Sequence, residues 1–453
     1  MSVAADLARL VGEDAVVTGP RAAAYLVDET ETRALRGRAD AVAFPATTGD
    51  VAAVLAYCYE HDLPVTPRGG GTGYAGGCVP TQGGVVLSTE RLVRVRSFDP
   101  LQWRMEVEAG VTTAHVRRLA RESGLLFPPD PGAAEQSQIG GNVATNAGGP
   151  HAFKYGPTGA WVSGLEAVVP PGDVVHFGGP VRKDVAGYDF KSLLTGSEGT
   201  LAVITAAWLK LIPAPEAALP LAAAFPDAAA GCAAVEAILG NGLLVAALEF
   251  LDADACTCAP AAFFGDCTPG FAVLVDVDGS REEAARLRAE VLEVLQETAS
   301  AVHAPTDAAG IAGVWRWREG MTAAVTTQLG GKVSEDICVP VDRLRDAIDG
   351  TVEIGLRHGL RACSWGHAGD GNLHSTFLLA REDARALQAA EHAVDELFAL
   401  AVSLGGTISG EHGVGVVKSG YLARMWEPRA LELRDAVKRQ FDPRNLMNPG
   451  TKT

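Results

Sequence analysis

The sequence predicts a fold of the α+β class, organised as two domains and a C-terminal segment. The chain has 453 residues, which is more than one small core requires. Helix-like and strand-like patterns alternate along it, and hydrophobic residues make up 47% of the chain, as in ordinary globular proteins. Pro213 and Pro215 separate a glycine-rich half from an alanine-rich half. We therefore expect domains at 1–215 and 216–410, followed by a segment at 411–453.

The first domain begins with a helical lead-in and continues as strand, helix and strand. Thr48 or Asp50 is a candidate cap for a helix over 51–61, because both side chains accept backbone N–H groups at helix starts. The stretch 65–68 predicts a strand that leads into a glycine loop. Further elements are expected as strands near 84–88, 93–98 and 103–109, a helix over 112–123, and short strands among the glycines and prolines of 125–215.

The alanine-rich second domain has the pattern of helices packed on a sheet. We expect strands near 243–250, 271–277, 332–340 and 361–366, and helices near 227–240, 280–299, 341–358 and 381–404. The last stretch, 441–453, is loop-like.

Charge and cysteine content exclude several classes of partner. Lys+Arg 38 against Asp+Glu 55 gives a net charge of −17, which repels nucleic-acid phosphates. The eight cysteines contain no C-x-x-C repeat, so we expect reduced thiols rather than a zinc ribbon or an iron–sulfur run. Neither a signal peptide nor a membrane-spanning stretch is predicted. We expect a cytoplasmic protein, either free or peripheral to a membrane.

The first glycine loop is "PRGGGTGYAGG", residues 67–77. Gly71, Gly73 and Gly76 match G-x-G-x-x-G, but the dinucleotide fingerprint must open a helix, whereas "GCVPTQGGVV" follows here. We expect a loop whose backbone N–H groups converge on an anion, with a purely structural turn as the alternative. Similar segments at 128–149 and 181–205 predict a large phosphate-containing ligand held mostly by backbone.

A second constellation lies far along the chain. "HAGDGNLH", residues 367–374, predicts strand–turn–strand, so that its two imidazoles point to one side. "SGEHGVG" adds Glu411 and His412. Two imidazoles and one carboxylate are a common ligand set for Zn²⁺, although turn-capping and surface roles stay open from the residues alone. "WRWREGMT" adds Arg316 and Arg318, whose guanidinium groups suit a carboxylate.

The order of these motifs, together with "GGNVATNAGG", "KDVAGYD", "LLTGSEGTLAVIT" and "NPGT", resembles a known family. The chain is similar to FAD-linked oxidases of the vanillyl-alcohol-oxidase type, and within them to the group of D-lactate dehydrogenase, D-2-hydroxyglutarate dehydrogenase and the D subunit of glycolate oxidase. This resemblance implies a FAD-binding domain of two subdomains and a cap domain with an antiparallel sheet. It also implies that 411–453 returns to the FAD-binding domain.

The resemblance also implies which residues bind FAD. They are Pro67, Arg68, Gly69, Gly70, Gly71, Thr72, Gly73, Gly76 and Gly77 for the pyrophosphate; Pro129, Gly132, Ser137, Gly140, Gly141 and Asn146 for the ring and ribityl chain; and Glu198, Gly199, Ile204 and Asn448. Some relatives attach FAD covalently through a histidine in the glycine loop. Thr72 stands at that position, so we expect non-covalent FAD. Tyr74 and Ala202 depart from the family's usual Leu and Gly.

The implied reaction is oxidation of a small D-2-hydroxy acid, of the glycolate or D-lactate class, to the 2-oxo acid. Hydride passes to flavin N5, and a divalent metal, with zinc expected, assists loss of the hydroxyl proton. His367, His374 and Glu411 are the expected metal ligands. Four residues are expected to be catalytic: His412 as the base, and Arg318, Thr322 and Lys332 on the substrate carboxylate. His151, His303 and His358 are interpreted as ordinary.

Three alternatives stay open. The substrate is D-2-hydroxyglutarate, or the chain is a flavin-binding subunit of a multi-subunit glycolate oxidase without turnover of its own, or it is a nicotinamide-dependent dehydrogenase, which the missing helix after Gly76 disfavours. The electron acceptor is oxygen, a soluble carrier, a quinone or a partner subunit. A homodimer is also left open.

Overall fold

The computed structural model describes residues 2–452, except for the side chain of Glu31. The helices are α1 (Val3–Val11), α2 (Thr48–Glu60), α3 (Thr113–Glu122), α4 (Ile139–Thr145), α5 (Ala152–Tyr155), α6 (Phe190–Leu194), α7 (Ala228–Gly240), α8 (Ala253–Cys258), α9 (Arg281–Gln296), α10 (Ala308–Glu319), α11 (Met321–Leu329), α12 (Leu344–Arg357), α13 (Ala384–Ser403), α14 (Leu422–Met425) and α15 (Pro428–Phe441).

The strands are β1 (Val16–Val17), β2 (Ala41–Ala43), β3 (Val65–Arg68), β4 (Val85–Ser88), β5 (Val95–Asp99), β6 (Arg104–Glu108), β7 (Leu125–Leu126), β8 (Val162–Val169), β9 (Asp173–Gly178), β10 (Val203–Lys210), β11 (Ile212–Pro213), β12 (Ala217–Ala218), β13 (Leu221–Phe225), β14 (Ala247–Asp252), β15 (Phe271–Asp276), β16 (Asp278–Gly279), β17 (Ala301–His303), β18 (Gly330–Cys338), β19 (Arg361–His367) and β20 (Asn372–Ala380).

The N-terminal half contains two sheets, each with its own core. One is four-stranded in the order β1-β2-β4-β3, with β2, β4 and β3 parallel, and its apolar residues pack against α2. The other is antiparallel in the order β5-β6-β10-β8-β9 and packs against α3 and α4. These two sheets confirm the expected pair of subdomains.

The C-terminal half contains the predicted antiparallel sheet, seven strands in the order β17-β13-β15-β14-β19-β20-β18. Side chains alternate across a strand, so successive residues of β13 enter two different cores. Leu221 and Phe225 pack towards α7, α9, α12 and α13, whereas Ala222 and Ala224 pack towards α8, α10 and α11. The sheet is therefore covered by helices on both faces.

The C-terminal end of the described chain lies against strand β3 of the first domain. Val65 and Met447 form a parallel bridge, and Asn448 donates its backbone N–H to the Val65 carbonyl. Within residues 2–452, no helix is both long enough and apolar enough to cross a bilayer.

Several local expectations are wrong. The side chain that caps α2 is Thr47, which accepts from the Asp50 N–H while Asp50 accepts in return, and Thr48 is already the first helical residue. Helix α4 replaces the expected loop despite Gly140 and Gly141. A Cβ at position 140 would lie 2.6 Å from that of Ala109, so glycine is needed where the helix packs against the end of β6. Helices α10, α11 and α15 were also not predicted.

Candidate active site

A large cleft joins the glycine-rich segments of the first domain to the seven-stranded sheet. It encloses about 1090 Å³, slightly above the usual upper range for small-molecule sites. One wall is formed by the glycine-rich segments around Gly70 and Gly140. The opposite wall carries the side chains of α10, α11, β18, β19 and β20. The cleft therefore combines a long glycine-rich cradle with an end lined by polar and charged side chains.

Close backbone packing explains the glycines of the cradle. A Cβ at Gly70 would lie 2.1 Å from the carbonyl oxygen of Gln136, and one at Gly69 would lie 3.4 Å from the Cα of Gly141. Gly71 has φ +72°, a conformation that favours glycine. No helix follows the loop before residue 113, which confirms that this is not the dinucleotide fingerprint.

Most residues expected to bind FAD line this cleft. They are Pro67, Arg68, Gly69, Gly70, Gly71, Thr72, Gly73, Gly77, Gly132, Ser137, Gly140, Gly141, Glu198, Gly199 and Ile204. Four do not line it: Gly76, Pro129, Asn146 and Asn448. The third segment is divided, because 198–204 contributes to the cleft while 181–189 is exposed.

Some of these residues brace the cradle. The Arg68 guanidinium donates to the carbonyl oxygens of Ala24 and Val27. The Asn448 amide donates to the carbonyl oxygens of Gly77 and Glu198. Arg68 therefore ties the glycine loop to the N-terminal segment, and Asn448 ties it to the C-terminal one.

The β19–β20 hairpin brings His367 and His374 together with Glu411. The Nε2 atoms of His367 and His374 lie 3.3 and 3.6 Å from the same oxygen, Oε1 of Glu411. One ligand atom from each residue lies within 4.8 Å of the other two. Among residues 2–452, the buried Nδ1 of His374 has no hydrogen-bond partner. This compact, buried donor set fits a divalent cation.

The electrostatics of the cluster suit ligand binding. Burial, together with the neighbouring charge of His412, lowers the pKa of His374 well below its usual value. Burial would raise the pKa of Glu411, but the histidines, His367 foremost, hold it at about 2. Burial would also lower the pKa of His367, yet Glu249 and Glu411 raise it well above the usual value. A cation would take the place of that proton on His367.

Glu249 is a buried residue that the sequence analysis missed. Its carboxylate accepts from Nδ1 of His367 at 2.6 Å and pairs with the Arg318 guanidinium at 2.7 Å. A carboxylate behind a ligand histidine fixes its orientation and tautomer. A signal was present, because Glu249 is the one charged residue in the apolar run "VAALEFL".

A second buried carboxylate, Asp336, holds the other side of the site. It accepts from the backbone N–H groups of Glu411 and His412, and its Oδ1 lies 2.6 Å from Nζ of Lys418. Burial would raise its pKa, but Lys418 and then His412 lower it to about 2. The fully buried Lys418–Asp336 pair therefore positions the loop that carries Glu411 and His412.

The His412 ring lies between two other aromatic rings. It stacks on His374 with centroids 5.2 Å apart and contacts Tyr74 at 4.7 Å. Its Nδ1 lies 3.7 Å from Oδ1 of Asp336. Tyr74, the departure from the family's usual leucine, thus contacts the expected base.

The expected substrate residues lie on the same side of the cleft. Arg318, Thr322 and Lys332 all line it, and Nζ of Lys332 lies 5.2 Å from the Trp365 ring. Arg318 is buried through its pair with Glu249, whereas Arg316 is exposed and does not line the cleft. The structure therefore brings together all seven residues expected to be catalytic or metal-binding.

The three histidines interpreted as ordinary differ in position. His151 lines the cleft. Its Nδ1 lies 2.5 Å from Oδ2 of Asp130, and its Nε2 lies 3.3 Å from Oδ2 of Asp276 in strand β15 of the seven-stranded sheet. Its ring contacts Trp315 at 5.3 Å. His303 and His358 do not line the cleft. His151 is thus an inter-domain contact that its sequence context does not indicate.

Two family models match the chain. "FAD binding domain" matches residues 39–178, and "FAD linked oxidases, C-terminal domain" matches residues 214–451, which is more than half of the chain. The chain belongs to the FAD-linked oxidases. The resemblance stated from the motifs is confirmed, and the chain is an enzyme of this family.

The chain is also similar over most of its length to several curated relatives. It is 36% identical to glycolate oxidase subunit GlcD of Bacillus subtilis, covering 91% of this chain and 88% of that one. It is 36% identical to D-lactate dehydrogenase of Archaeoglobus fulgidus, covering 95% and 96%. It is 33% identical to the mitochondrial D-2-hydroxyglutarate dehydrogenase of Rattus norvegicus, covering 92% and 78%.

Solved structures agree on the fold. The 4-ethylphenol oxidase from Gulosibacter chungangensis superposes with a TM-score of 0.81 at 16% identity, covering 99% of this oxidase and 96% of that chain. An alkyldihydroxyacetonephosphate synthase superposes with a TM-score of 0.76 at 17% identity, covering 98% and 84%. At these identities the likeness concerns the fold alone.

Proposed function

We propose that this oxidase converts a small D-2-hydroxy acid, of the glycolate or D-lactate class, to the 2-oxo acid. One observation carries the proposal: the His367–His374–Glu411 cluster, Arg318 and Lys332 line the same cleft as the glycine cradle. A 2-hydroxy acid needs a cationic partner for its carboxylate and an acceptor for its hydroxyl proton. The relatives named for 2-hydroxy acids support the same substrate class.

The cradle supports non-covalent FAD. Many glycines line it, and a Cβ at Gly73 or Gly132 would meet nothing within 4 Å, so the cleft is open beside these glycines. The loop carries Thr72 and no histidine, which leaves no imidazole there for a covalent link. When bound, FAD supplies the hydride acceptor and a divalent ion, with zinc the expected one, supplies a Lewis acid.

The chain's own residues orient the substrate. Arg318, with Thr322 one turn further along the α10–α11 pair, presents a cation and a hydroxyl to the substrate carboxylate, and Lys332 adds a second cation. Glu249 stabilises Arg318 in its buried position and at the same time orients His367. Binding and metal-ligand geometry are therefore coupled through one carboxylate.

His412 is the proposed base for the hydroxyl proton. Its ring is held by His374 and Tyr74 and lies in the cleft, and Asp336 stands behind its Nδ1. A carboxylate behind the imidazole stabilises the cation that forms when the ring accepts a proton.

Two other functions remain candidates. D-2-hydroxyglutarate carries a second carboxylate, and under this candidate Lys332, which lines the cleft, would contact that group instead of the first carboxylate; one relative is named for that substrate. Another relative is named as a subunit, so a flavin-binding subunit that passes electrons to a partner is the second candidate. Oxygen, a quinone and a soluble carrier are the other candidate electron acceptors.

The experiment is a stopped-flow screen of the metal-supplied holoprotein under anaerobic conditions. The two enantiomers of lactate and of 2-hydroxyglutarate, and achiral glycolate, are mixed with the yellow protein while flavin absorbance is followed. We expect rapid bleaching by one or more of glycolate, D-lactate and D-2-hydroxyglutarate, and none by the L-enantiomers. Full FAD occupancy with no bleaching by any 2-hydroxy acid contradicts the proposal.

A further inference from the structure

Two cysteine thiols lie beneath the cleft wall, on the side of the sheet covered by α8, α10 and α11. Cys258 ends α8, and Cys363 lies in β19 four residues before His367. The residues are 7% and 0% exposed, and their side chains hydrogen-bond to each other. The proposed oxidation of a hydroxy acid uses neither thiol.

The surroundings of Cys258 favour its thiolate. Nη2 of Arg361 lies 3.6 Å from its sulfur, and Nε of Arg361 is held by Asp254 at 2.9 Å. The hydrogen bond from Cys363 and the Arg361 charge together outweigh burial and lower the pKa of Cys258 below its usual value. The thiolate is the nucleophilic form of cysteine, so Cys258 is set apart chemically from a simple buried thiol.

Neighbouring cysteines lack this activation. Burial raises the pKa of Cys256, which lies two residues earlier on α8, well above its usual value. The pKa of Cys363 is also raised, because its proton is shared with Cys258 and the side chain is buried. The pair therefore consists of one nucleophilic sulfur and one protonated thiol next to it.

We propose that Cys258 is a site of oxidative modification, with Cys363 as the thiol that resolves the product into a disulfide. The oxidant is a hydroperoxide. The Cys258 thiolate attacks its terminal oxygen, an S–O bond forms, the O–O bond breaks and the alkoxide or hydroxide leaves with a proton as alcohol or water. The Cys363 sulfur then attacks the Cys258 sulfur, the S–S bond forms, the S–O bond breaks and water leaves with the Cys363 proton. Two electrons pass from the two thiols to the peroxide.

The modification lies beside the helices that carry the substrate residues. The Trp317 indole N–H donates to the Ala259 carbonyl at 2.8 Å, and the Gln328 amide donates to the Cys258 carbonyl at 3.5 Å. Cys258 and Cys363 also share an apolar cluster with Met321 of α11. Displacing the end of α8 therefore disturbs α10 and α11, which hold Arg318 and Thr322, and weakens substrate binding. This last consequence rests on the proposed function.

Peptide mass spectrometry tests the modification directly. The holoprotein is treated with stoichiometric hydrogen peroxide at neutral pH, free thiols are blocked, and the digest is searched for a 258–363 disulfide. We expect this disulfide to be the principal product and to be reversed by dithiothreitol. In Cys363→Ser we expect oxidation to stop at a dimedone-trappable sulfenic acid on Cys258, whereas Cys256→Ala retains the disulfide. Oxidation that spares Cys258 and begins at other cysteines overturns the proposal.

A second measurement isolates the role of Arg361. Iodoacetamide labelling of Cys258 at pH 7 is expected to be about tenfold slower in Arg361→Gln, because the thiolate fraction falls as the pKa returns towards its ordinary value. Equal labelling rates contradict this activation.

The KM for the hydroxy acid is then compared before and after oxidation, with a threefold or greater increase expected. A disulfide that forms in a protein whose flavin no hydroxy acid reduces leaves the modification standing and rejects the proposed function.

Discussion

Glu249 joins His367 of the metal-binding cluster to Arg318 of the substrate side. One carboxylate oxygen lies 2.6 Å from Nδ1 of His367, and the other lies 2.7 Å from the Arg318 guanidinium. Glu249 is 0% exposed, so both contacts form away from solvent. Substrate binding and metal binding are therefore expected to respond together when this one residue is changed.

Glu249→Gln tests this coupling. The amide keeps the shape but removes the negative charge that holds Arg318 and favours the ligand orientation of His367. Loss of such a supporting carboxylate typically lowers metal affinity by about 10–100-fold. We expect weaker metal binding in a chelator competition and a higher KM for the hydroxy acid, with FAD content unchanged. The exposed Glu282→Gln serves as the matched control, and a variant that binds metal and substrate normally contradicts the coupling.

Lys418→Met tests the support behind His412. Removing the ammonium leaves the carboxylate of Asp336 buried without its cation, which typically costs about 3–5 kcal/mol. We expect a corresponding loss in the free energy of unfolding, measured with urea on the holoprotein. Adding Asp336→Asn removes the unpaired charge, so the double variant is expected to regain part of that loss. Additive effects of the two substitutions would show that the pair is not coupled.

The pairing of His151 with Asp130 and Asp276 predicts that the stability of the protein depends on pH. Burial alone would lower its pKa, but Asp130 and Asp276 raise it to about 10. Because the folded pKa lies above the ordinary value of about 6.5, the contribution is complete below pH 6.5 and is lost as pH rises through about 10. We expect the Tm difference between the wild type and His151→Gln to shrink between pH 6 and pH 10.5. A Tm difference that stays constant over this range would show that the imidazolium does not link the two carboxylates.

Substitutions at two glycines test the folding of the cradle and the binding of FAD separately. A Cβ at Gly70 would lie 2.1 Å from the Gln136 carbonyl oxygen, whereas one at Gly73 would meet nothing in the protein within 4 Å. Gly70→Ala is therefore expected to lower the Tm of the FAD-free protein, and Gly73→Ala to leave it near that of the wild type. Because Gly73 lines the cleft and is expected to contact FAD, Gly73→Ala is expected to lose flavin affinity in a fluorescence titration, and unchanged affinity would contradict this contact. Gly240→Ala, at the end of α7, is the control.

Much of the fold follows from local sequence signals. Strand 65–68 and the turn between His367 and His374 were predicted correctly, because apolar runs and glycines mark them directly. Helix α4 was missed because Gly140 and Gly141 lower helix propensity, and the reason for glycine at position 140 is contact with Ala109, which is distant in sequence. Packing between residues distant in sequence therefore explains why the 139–145 segment contains these glycines and is still helical.

The residues of the site also fall into those that local sequence signals reveal and those that only the fold reveals. The candidate ligands His367, His374 and Glu411 lie in glycine-rich motifs whose spacing is visible in the sequence. Glu249 and Asp336 lie in ordinary strands, and their roles depend on pairings between β14 and β19 and between β18 and β20. Such non-local pairings are not readable from one sequence, so the residues that support the ligands appeared only in the structure.

Replacement of His367 by alanine tests the central proposal most directly. Flavin reduction by the best 2-hydroxy acid is followed by anaerobic stopped flow for the wild type and the variant, with metal content measured on the same samples. We predict full FAD occupancy in both, loss of the bound metal in the variant, and flavin reduction slowed by at least about 100-fold. Unchanged metal content and an undiminished rate of reduction would contradict the account.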